Sequence, residues 1–514
     1  MWTPTWIGKW RPTSLFEVWK SKVSLAQSEQ SPRASFEFAL LECSEMNTVQ
    51  LGNPHYGFSR SRKTAYFFLT FAALVETLVT VLAGGPVSQS PGELRTYGLI
   101  CCLLAGLLGV LYGCVRPTNR SRWGIESWSL LVPLYALFQI IPLPLRILRI
   151  LSPARASLAE SIRPITHIAR WTPISTVPSA TLYHCLLFSA CTCVFLVIYD
   201  LSKHFSYRPW IVALPLILVG AAQAVIGLLQ SSADTDNIAA GTFMIRNHYA
   251  GFLAMILPFA AAIPFCVLPD PERDPDSPRR LNQTARTFLA LCGLAVSALL
   301  AAAIISSLSR MGFVAALTSI VFVAVVGLNR TLSLPRRRLL VAIVVVVTII
   351  LVVALPSARL VSRFADLEEY GNDRWPAWRD TFRLIETYPA FGCGLGAYES
   401  AFLEFKTSAP ALTQDYAHND YLQYLAEMGA VGFALVLLPL ATIIFRLRLG
   451  LRQFRPDLWA LALACAGSLL AIGLHSVVDF NLYVPANMFT LAWILGISAY
   501  LGERGLADVP NPGG

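Results

Sequence analysis

An all-α polytopic membrane protein with about twelve transmembrane helices and one large, mostly helical loop on its outer face is the fold class that three features of the sequence predict. The first is composition. Over 514 residues the hydrophobic share is 55% and the charged share 14%, against about 25% charged in ordinary globular domains, and the mean hydropathy is +0.56. So few charges cannot solvate the surface of a globular chain this long, so most of it faces lipid or other apolar helices. The second is the recurrence of apolar runs long enough to cross roughly 30 Å of hydrocarbon. The third is the alternation of Lys and Arg between the loops that separate those runs.

Residues 1–63 are polar, carry Lys9, Arg11, Lys20, Lys22, Arg33, Arg60, Arg62 and Lys63, and lack the continuous apolar core of a signal peptide; they are expected to form a weakly ordered cytoplasmic extension. Candidate spans follow at 64–84, 96–114, 127–147, 179–200, 209–230, 247–268, 286–306, 310–329 and 338–356, then, after a loop at 357–428, at 429–446, 458–477 and 485–502, with a cytoplasmic tail at 503–514. With the N-terminus inside, the inside loops hold Arg116, Arg120 and Arg122, then Lys203 and Arg208, Arg273, Arg279 and Arg280, Arg330 and Arg336–Arg338, and Arg446, Arg448, Arg452 and Arg455. Such retention of basic residues marks the cytoplasmic side, so the chain is expected in the bacterial inner membrane with loop 357–428 on the periplasmic face. Segment 148–178 breaks the alternation with Arg149, Arg155, Arg163 and Arg170 among Leu, Ile and Trp. It reads as an amphipathic helix at the outer interface, its basic residues toward headgroups.

The net charge of +9 is explained by this topology and not by nucleic acid, since no binding module accompanies it. Most of the 11 cysteines lie within apolar runs, where cysteine behaves as a small hydrophobe. Cys43 and Cys393 fall on opposite sides of the membrane, so neither a disulfide framework nor a zinc site is expected.

Two outer regions can carry chemistry. The turn SSLSR sets Arg310 at a membrane edge. The loop of roughly 70 residues before Met428 is long enough to be functional and holds NDRWPAWRD (Asn372–Asp380), YPAFGCGLGAYES (Tyr388–Ser400) and AHNDYLQYLAEMGAVG (Ala417–Gly432). In the last of these, helical spacing puts Asn419, Gln423 and Glu427 on one stripe, a polar face that can look into a cavity. Gly429 and Gly432 allow close helix approach. The run Gly392, Gly394, Gly396 lacks the preceding strand and following Lys-Ser/Thr of a nucleotide loop and reads as tight turns. Acidic Asp366, Glu368 and Glu369 read as a solvated face.

Arg374 with Trp378, the run Pro389, Gly392, Gly394, Gly396 and the HNDYLQ block resemble the signature of the O-antigen ligase and polysaccharide polymerase superfamily. Upstream GTFMIRNHYAGFLAMILP (Gly241–Pro258) and SLSRMG (Ser307–Gly312), and downstream HSVVDFNLYVPAN (His475–Asn487), resemble its other blocks. The resemblance covers roughly residues 210–500 and not the N-terminal extension. It implies a GT-C-like membrane glycosyltransferase. Such an enzyme moves a glycan from undecaprenyl diphosphate to an acceptor hydroxyl with inversion, using no metal and no cofactor. The acceptor would be another glycan, lipid A core or a protein Ser or Thr, giving exopolysaccharide, lipopolysaccharide or a glycoprotein.

The chemistry asks for particular residues. A departing diphosphate concentrates negative charge in the transition state, and guanidinium forks bind phosphate oxygens in pairs. Arg310 and Arg374 are the candidates, with Arg246 and Arg379 as second choices. The attacking hydroxyl needs a base, and imidazole suits neutral pH, which points to His418. Asn419, Tyr421, Gln423, Glu427, Gly394 and Gly396 would support it. Plainer roles exist for each: Arg310 can snorkel to headgroups, Arg374 can pair with Asp373 or Asp380, and His418, His248 and His475 can be structural. A transporter or lipid flippase would also use about twelve spans, but would show ionisable residues at mid-membrane. Here the polar residues gather at one face.

Overall fold

A computed structural model describes residues 58–84, 91–115, 125–166, 171–233, 238–268, 282–331, 374–407, 414–451 and 455–507. Expectations for residues 1–57, the ninth span at 338–356, the start of the outer loop and the C-terminal tail from 508 lie outside them. The chain divides into two units, Met1–Lys63 and Thr64–Gly514, and the second carries the fold described below.

The described elements are helical save for one two-residue strand pair. In chain order they are α1 (Phe58–Gly84), α2 (Pro91–Val115), α3 (Ile125–Trp128), α4 (Leu131–Ile140), β1 (Leu143–Pro144), α5 (Leu145–Leu151), α6 (Pro153–Thr166), β2 (Trp171–Thr172), α7 (Pro178–His204), α8 (Trp210–Ala233), α9 (Arg246–Val267), α10 (Gln283–Ser306) and α11 (Arg310–Thr331). After the undescribed stretch come α12 (Arg374–Thr387), α13 (Tyr398–Phe402), α14 (Asp420–Gly450), α15 (Pro456–His475), a 3-10 turn (Asn481–Tyr483) and α16 (Pro485–Ala507). Among the described residues 8 helices are long and apolar enough to cross a membrane: α1, α7, α8, α9, α10, α11, α14 and α15. The protein is an all-α multi-pass membrane protein.

Two other helices, α2 and α16, coincide with predicted spans. The apolar part of α2 is the shorter Gly98–Cys114, and α16 buries the polar Asn487, Thr490 and Ser498. The predicted span at 127–147 is corrected: it breaks into α3, α4 and β1. Ten residues of α4 cover only about 15 Å, half the hydrocarbon thickness. The break has partners waiting, since Gln139 and Tyr135 of α4 donate to carbonyls elsewhere in the fold.

Helix α9 is the centre of the bundle, with Tyr249–Ala260 buried throughout. Its two internal prolines, Pro258 and Pro264, are tolerated because neighbouring helices enclose the freed backbone. Small residues make that enclosure close: a Cβ on Gly467 of α15 would stand 3.0 Å from Pro258, and one on Gly312 of α11 would stand 2.4 Å from Ala250. Such contacts replace the hydrophobic drive that lipid-facing helices lack.

Helix α14 is broken at Gly429, whose backbone is left-handed and extended (φ 63°, ψ −176°). The glycine-rich loop is threaded into the break. Ala430 and Val431 amides donate to the Pro389 and Ala390 carbonyls at 2.8 and 3.1 Å, and the Cys393 and Gly394 amides donate to Ala426 and Glu427 carbonyls at 3.0 Å each. Gln139 closes the junction by donating to the Phe391 and Glu427 carbonyls and accepting from the Leu395 amide. Away from water, each of these groups needs a partner, and the interlock gives every one of them one.

The described residues of segment 148–178 include the end of α5, α6 and β2, and β2 pairs with β1. Arg149 pairs with Glu160 at 2.6 Å on the surface. Arg155 departs from the expectation of a headgroup-facing residue: it is 7% exposed.

Candidate functional site

The site begins at Asp479, in the turn after α15. Its carboxylate is 3% exposed, with Oδ1 3.7 Å from His248 Nε2 and from His418 Nδ1, and Oδ2 3.7 Å from His475 Nε2. Three elements supply these imidazoles: the first turn of α9, the residue pair before α14 and the last turn of α15. The distances lie just beyond direct hydrogen bonds, leaving His248 Nε2, His418 Nδ1, both nitrogens of His475 and Asp479 Oδ2 buried without a hydrogen-bond partner. Burial alone would raise the Asp479 carboxyl, but the imidazoles of His248, His418 and His475 hold it well below the usual carboxylate range. Among the described residues the imidazoles and carboxylates do not form a group arranged to hold a metal ion.

Phe480 lies against the cluster, its ring 4.5 Å from His248 and 4.9 Å from His418, with Tyr416 stacked on it at 4.0 Å. The aromatic floor fixes both imidazole planes. Of the three, His418 alone is accessible: its side chain is 40% exposed, against 6% for His248 and 1% for His475. Backbone bonds fix its position. The Asp420 amide donates to the Ser476 and Asp479 carbonyls, the Asp420 carboxylate accepts from the Leu482 amide, and Trp378 Nε1 donates to the Ala417 carbonyl at 2.9 Å. His418 itself holds a left-handed backbone (φ 51°), a conformation that costs a non-glycine residue free energy and is found where the surroundings impose it.

The other left-handed non-glycine among the described residues is Leu308 (φ 53°), in the turn that delivers Arg310. There the Ser307 hydroxyl accepts from the Ser309 amide and the Ser309 hydroxyl from Gly312, so the SSLSR turn caps α11 with Arg310 at its first position. Arg374 opens α12. Burial lowers the Arg374 guanidinium from its ordinary value, Asp479 raises it and Arg310 lowers it further. Arg374 therefore lies within electrostatic reach of both, and the two arginines and the Asp479 cluster form one neighbourhood. Arg246 is half-buried in the first turn of α9, two residues before His248. Arg379 is not in this group. It is 66% exposed beside Asp380, with one bond to Thr407 Oγ1, because the helical turn from Arg374 rotates it to the open face of α12.

The supporting residues divide in the same way. Asn419 caps α14 by accepting from the Leu422 amide, and the Tyr421 hydroxyl donates to the Gly473 carbonyl at 2.7 Å. The stripe of Gln423 and Glu427 does not look into a cavity. Gln423 accepts from the Ala417 amide and donates to Glu427, and Glu427 also accepts from the Gly396 amide, the Tyr398 amide and the Tyr483 hydroxyl. Every lone pair of a buried carboxylate is thereby used structurally. Gly394 (φ 113°) and Gly396 (φ 76°) fold tightly over this anchor, and a Cβ at Gly396 would stand 2.1 Å from His184 Nδ1. They shape the wall behind the site.

Asp479 was not singled out from the sequence, although His475 and Asp479 stand at i and i+4, the spacing that puts two side chains on one face. Gln139 and Phe480 gave no signal by residue type.

Residues 295–437 match the family model described as O-antigen ligase, so the chain is similar to that family over this stretch. The match spans Arg310, Arg374 and His418, a narrower stretch than the motif resemblance. Comparison with curated protein sequences gives no match.

Proposed function

We propose that the protein transfers a glycan from a polyprenyl diphosphate to an acceptor hydroxyl on the outer face of the inner membrane. The observation that carries this reading is the neighbourhood of Arg310, Arg374 and the Asp479 cluster with one accessible imidazole, His418. The acceptor hydroxyl gives its proton to His418 through the imidazole nitrogen that does not face Asp479. Its oxygen bonds the anomeric carbon as the bond from that carbon to the diphosphate breaks, and the electron pair leaves with undecaprenyl diphosphate. Arg310 and Arg374 offset the charge that develops on the departing oxygens, with Arg246 close by on α9. A single displacement inverts the anomeric carbon. Asp479 stabilises the imidazolium as it forms, and Phe480 holds its plane.

A lipid transporter would need ionisable residues along its spans. The acid within α1, Glu76, is instead held by the Thr490 hydroxyl at 2.6 Å, a helix-to-helix bond that supports a structural role. The test is transfer by the purified protein from a defined undecaprenyl-diphosphate glycan to a glycan, lipid A core or peptide acceptor. The expected result is product with the wild type and none with His418→Ala; turnover by the variant at the wild-type rate would overturn the reading.

A further inference from the structure

Trp378 stands one turn after Arg374 on α12, and side chains at i and i+4 share a helix face. Its indole Nε1 donates to the Ala417 carbonyl at 2.9 Å, and its ring meets that of Trp375 at 5.8 Å and 66°. Ala417 is fully buried, and among the described residues no second donor joins Trp378 at its carbonyl. That carbonyl belongs to the same planar peptide unit as the His418 amide. Turning the plane changes ψ of Ala417 and φ of His418 together, so whatever fixes the carbonyl also fixes the left-handed backbone of His418 (φ 51°). A histidine does not hold that conformation by preference. The flanking peptides are pinned from other sides: the Ala417 amide donates to Gln423 Oε1 at 2.9 Å, and the Asp420 amide to the Ser476 and Asp479 carbonyls. The Trp378 bond is the one that acts on the 417–418 peptide itself.

Without the indole N–H, the buried carbonyl would lack a donor, an unfavourable state that turning the peptide toward water relieves. That turn carries His418 out of the left-handed region and its imidazole away from Asp479 and Phe480. We propose that Trp378 is a positioning residue for His418, and that α12 thereby joins donor to base: the helix whose first residue, Arg374, meets the diphosphate also holds the peptide that aims the imidazole. Helix α12 is anchored to act as one piece. Asp380, fully buried, accepts from the Thr407 amide and hydroxyl at 2.8 Å each, and the Thr381 hydroxyl lies 2.8 Å from that of Tyr398. The diphosphate half of the inference rests on the transferase reading; the clamp on His418 does not.

The test compares two replacements in the detergent-solubilised full chain. Trp378→Phe keeps an aromatic ring and removes the donor, whereas Trp378→His keeps an Nε2 donor at the same place in a five-membered ring and removes the benzo ring. The first readout is acylation of His418 by diethyl pyrocarbonate, followed by peptide mass spectrometry. Trp378→Phe should raise the His418 rate about threefold or more, the population shift that loss of one hydrogen bond produces, and Trp378→His should stay near the wild type. The second readout is transfer from the defined undecaprenyl-diphosphate glycan at matched thermal midpoint. There Trp378→Phe should lower kcat about tenfold or more, with KM for the donor within about twofold of wild type, and Trp378→His should recover most of the loss. The double variant Trp378→His with His418→Ala should be as inactive as His418→Ala; activity in it would trace the recovery to the new imidazole and overturn the inference. Equal acylation rates in all three proteins, or a loss of kcat in Trp378→His that matches or exceeds the loss in Trp378→Phe, would assign Trp378 to bulk packing and also overturn it. Transfer retained by His418→Ala, with the acylation rates as expected, would remove the transferase role of His418 and leave the clamp in place.

Discussion

Nδ1 of His418 lies 3.7 Å from Oδ1 of Asp479, and the same oxygen lies 3.7 Å from Nε2 of His248. One buried carboxylate thus faces two imidazoles of opposite character: His248 is enclosed and His418 opens outward. A base needs access to its substrate and a fixed orientation, and only the second imidazole has both. The division of roles follows from burial and not from residue type, so it holds for His475 as well, whose ring is enclosed at the end of α15.

The two arginines should not tolerate lysine. Arg310 lies close enough to weigh on Arg374, a repulsion that a bound diphosphate would relieve. A lysine keeps the charge and loses the paired donors that match phosphate oxygens. Arg310→Lys and Arg374→Lys should each lower transfer by about tenfold or more, while Arg379→Lys, on the open face of α12, should stay near the wild-type rate. Initial rates at saturating acceptor would decide it, and full activity in both of the first two variants would remove the diphosphate role.

The interlock at the α14 break should be the most sensitive point of the fold outside the bundle core. Gln139→Leu would leave the buried Leu395 amide without its acceptor, at about 1–3 kcal/mol, and would take one of two donors from each of the Phe391 and Glu427 carbonyls, which keep Tyr135 and the Gly394 amide. Gly396→Ala would force a Cβ into His184 at a left-handed position, costing about 1–3 kcal/mol before any clash is relieved. Both should lower the thermal midpoint clearly, whereas Arg149→Ala, which removes an exposed ion pair worth about 0–1 kcal/mol, should not. An unchanged midpoint for Gln139→Leu would show that the broken backbone finds other partners.

The long spans were legible because length and hydropathy suffice to define them, and eight of them recur as long apolar helices, α14 with a break at Gly429. The span at 127–147 misled because Leu131–Ile140 is as apolar as a crossing helix, while the chain stops it with the strand pair at Leu143–Pro144. Hydropathy carries no record of such a stop. Motifs singled out Arg310, Arg374 and His418. The Asp479 cluster was not legible, because Asp479 follows α15 while His248 lies in the first turn of α9, far apart in sequence. Gln423 and Glu427 were misread for a related reason: a polar stripe on a helix looks the same whether it faces a cavity or a loop of backbone amides, and here Gly396 and Tyr398 supply the amides.

Membrane orientation makes a separate prediction. The alternation of basic loops predicts residues 357–428 outside, and Ser400, exposed on α13 just after the glycine-rich loop, is a suitable reporter. A Ser400→Cys variant, in a background whose exposed native cysteines Cys114 and Cys292 are replaced, should react with an impermeant maleimide in intact spheroplasts. Labelling only after permeabilisation would reverse the topology and move the site to the cytoplasm.

The pH dependence of transfer should separate Asp479 from His418. Asp479 is held below the usual carboxylate range by its imidazole neighbours, against the effect of burial. A carboxyl depressed in the folded state contributes stability that is complete above its unfolded value of about 3.9 and is lost only as pH falls through the lower folded value. Between pH 5 and 8 Asp479 therefore stays ionised, and neither stability nor rate should change on its account. A fall in rate on the acidic side is therefore expected from protonation of the imidazole that serves as base. Asp479→Asn keeps the shape and removes the negative charge that favours a protonated imidazole. The acidic limb should then move to lower pH while the plateau rate drops by about tenfold or more, since the imidazolium formed in the transition state loses its counter-charge. His418→Ala should lose about 10² to 10⁴-fold with no such limb left to move, and His475→Ala should keep the limb if it folds. Rates measured from pH 5 to 8 with one donor and acceptor, at matched thermal midpoint, give all three profiles. An acidic limb that persists unchanged in His418→Ala, or one that stays in place in Asp479→Asn, would assign the base elsewhere.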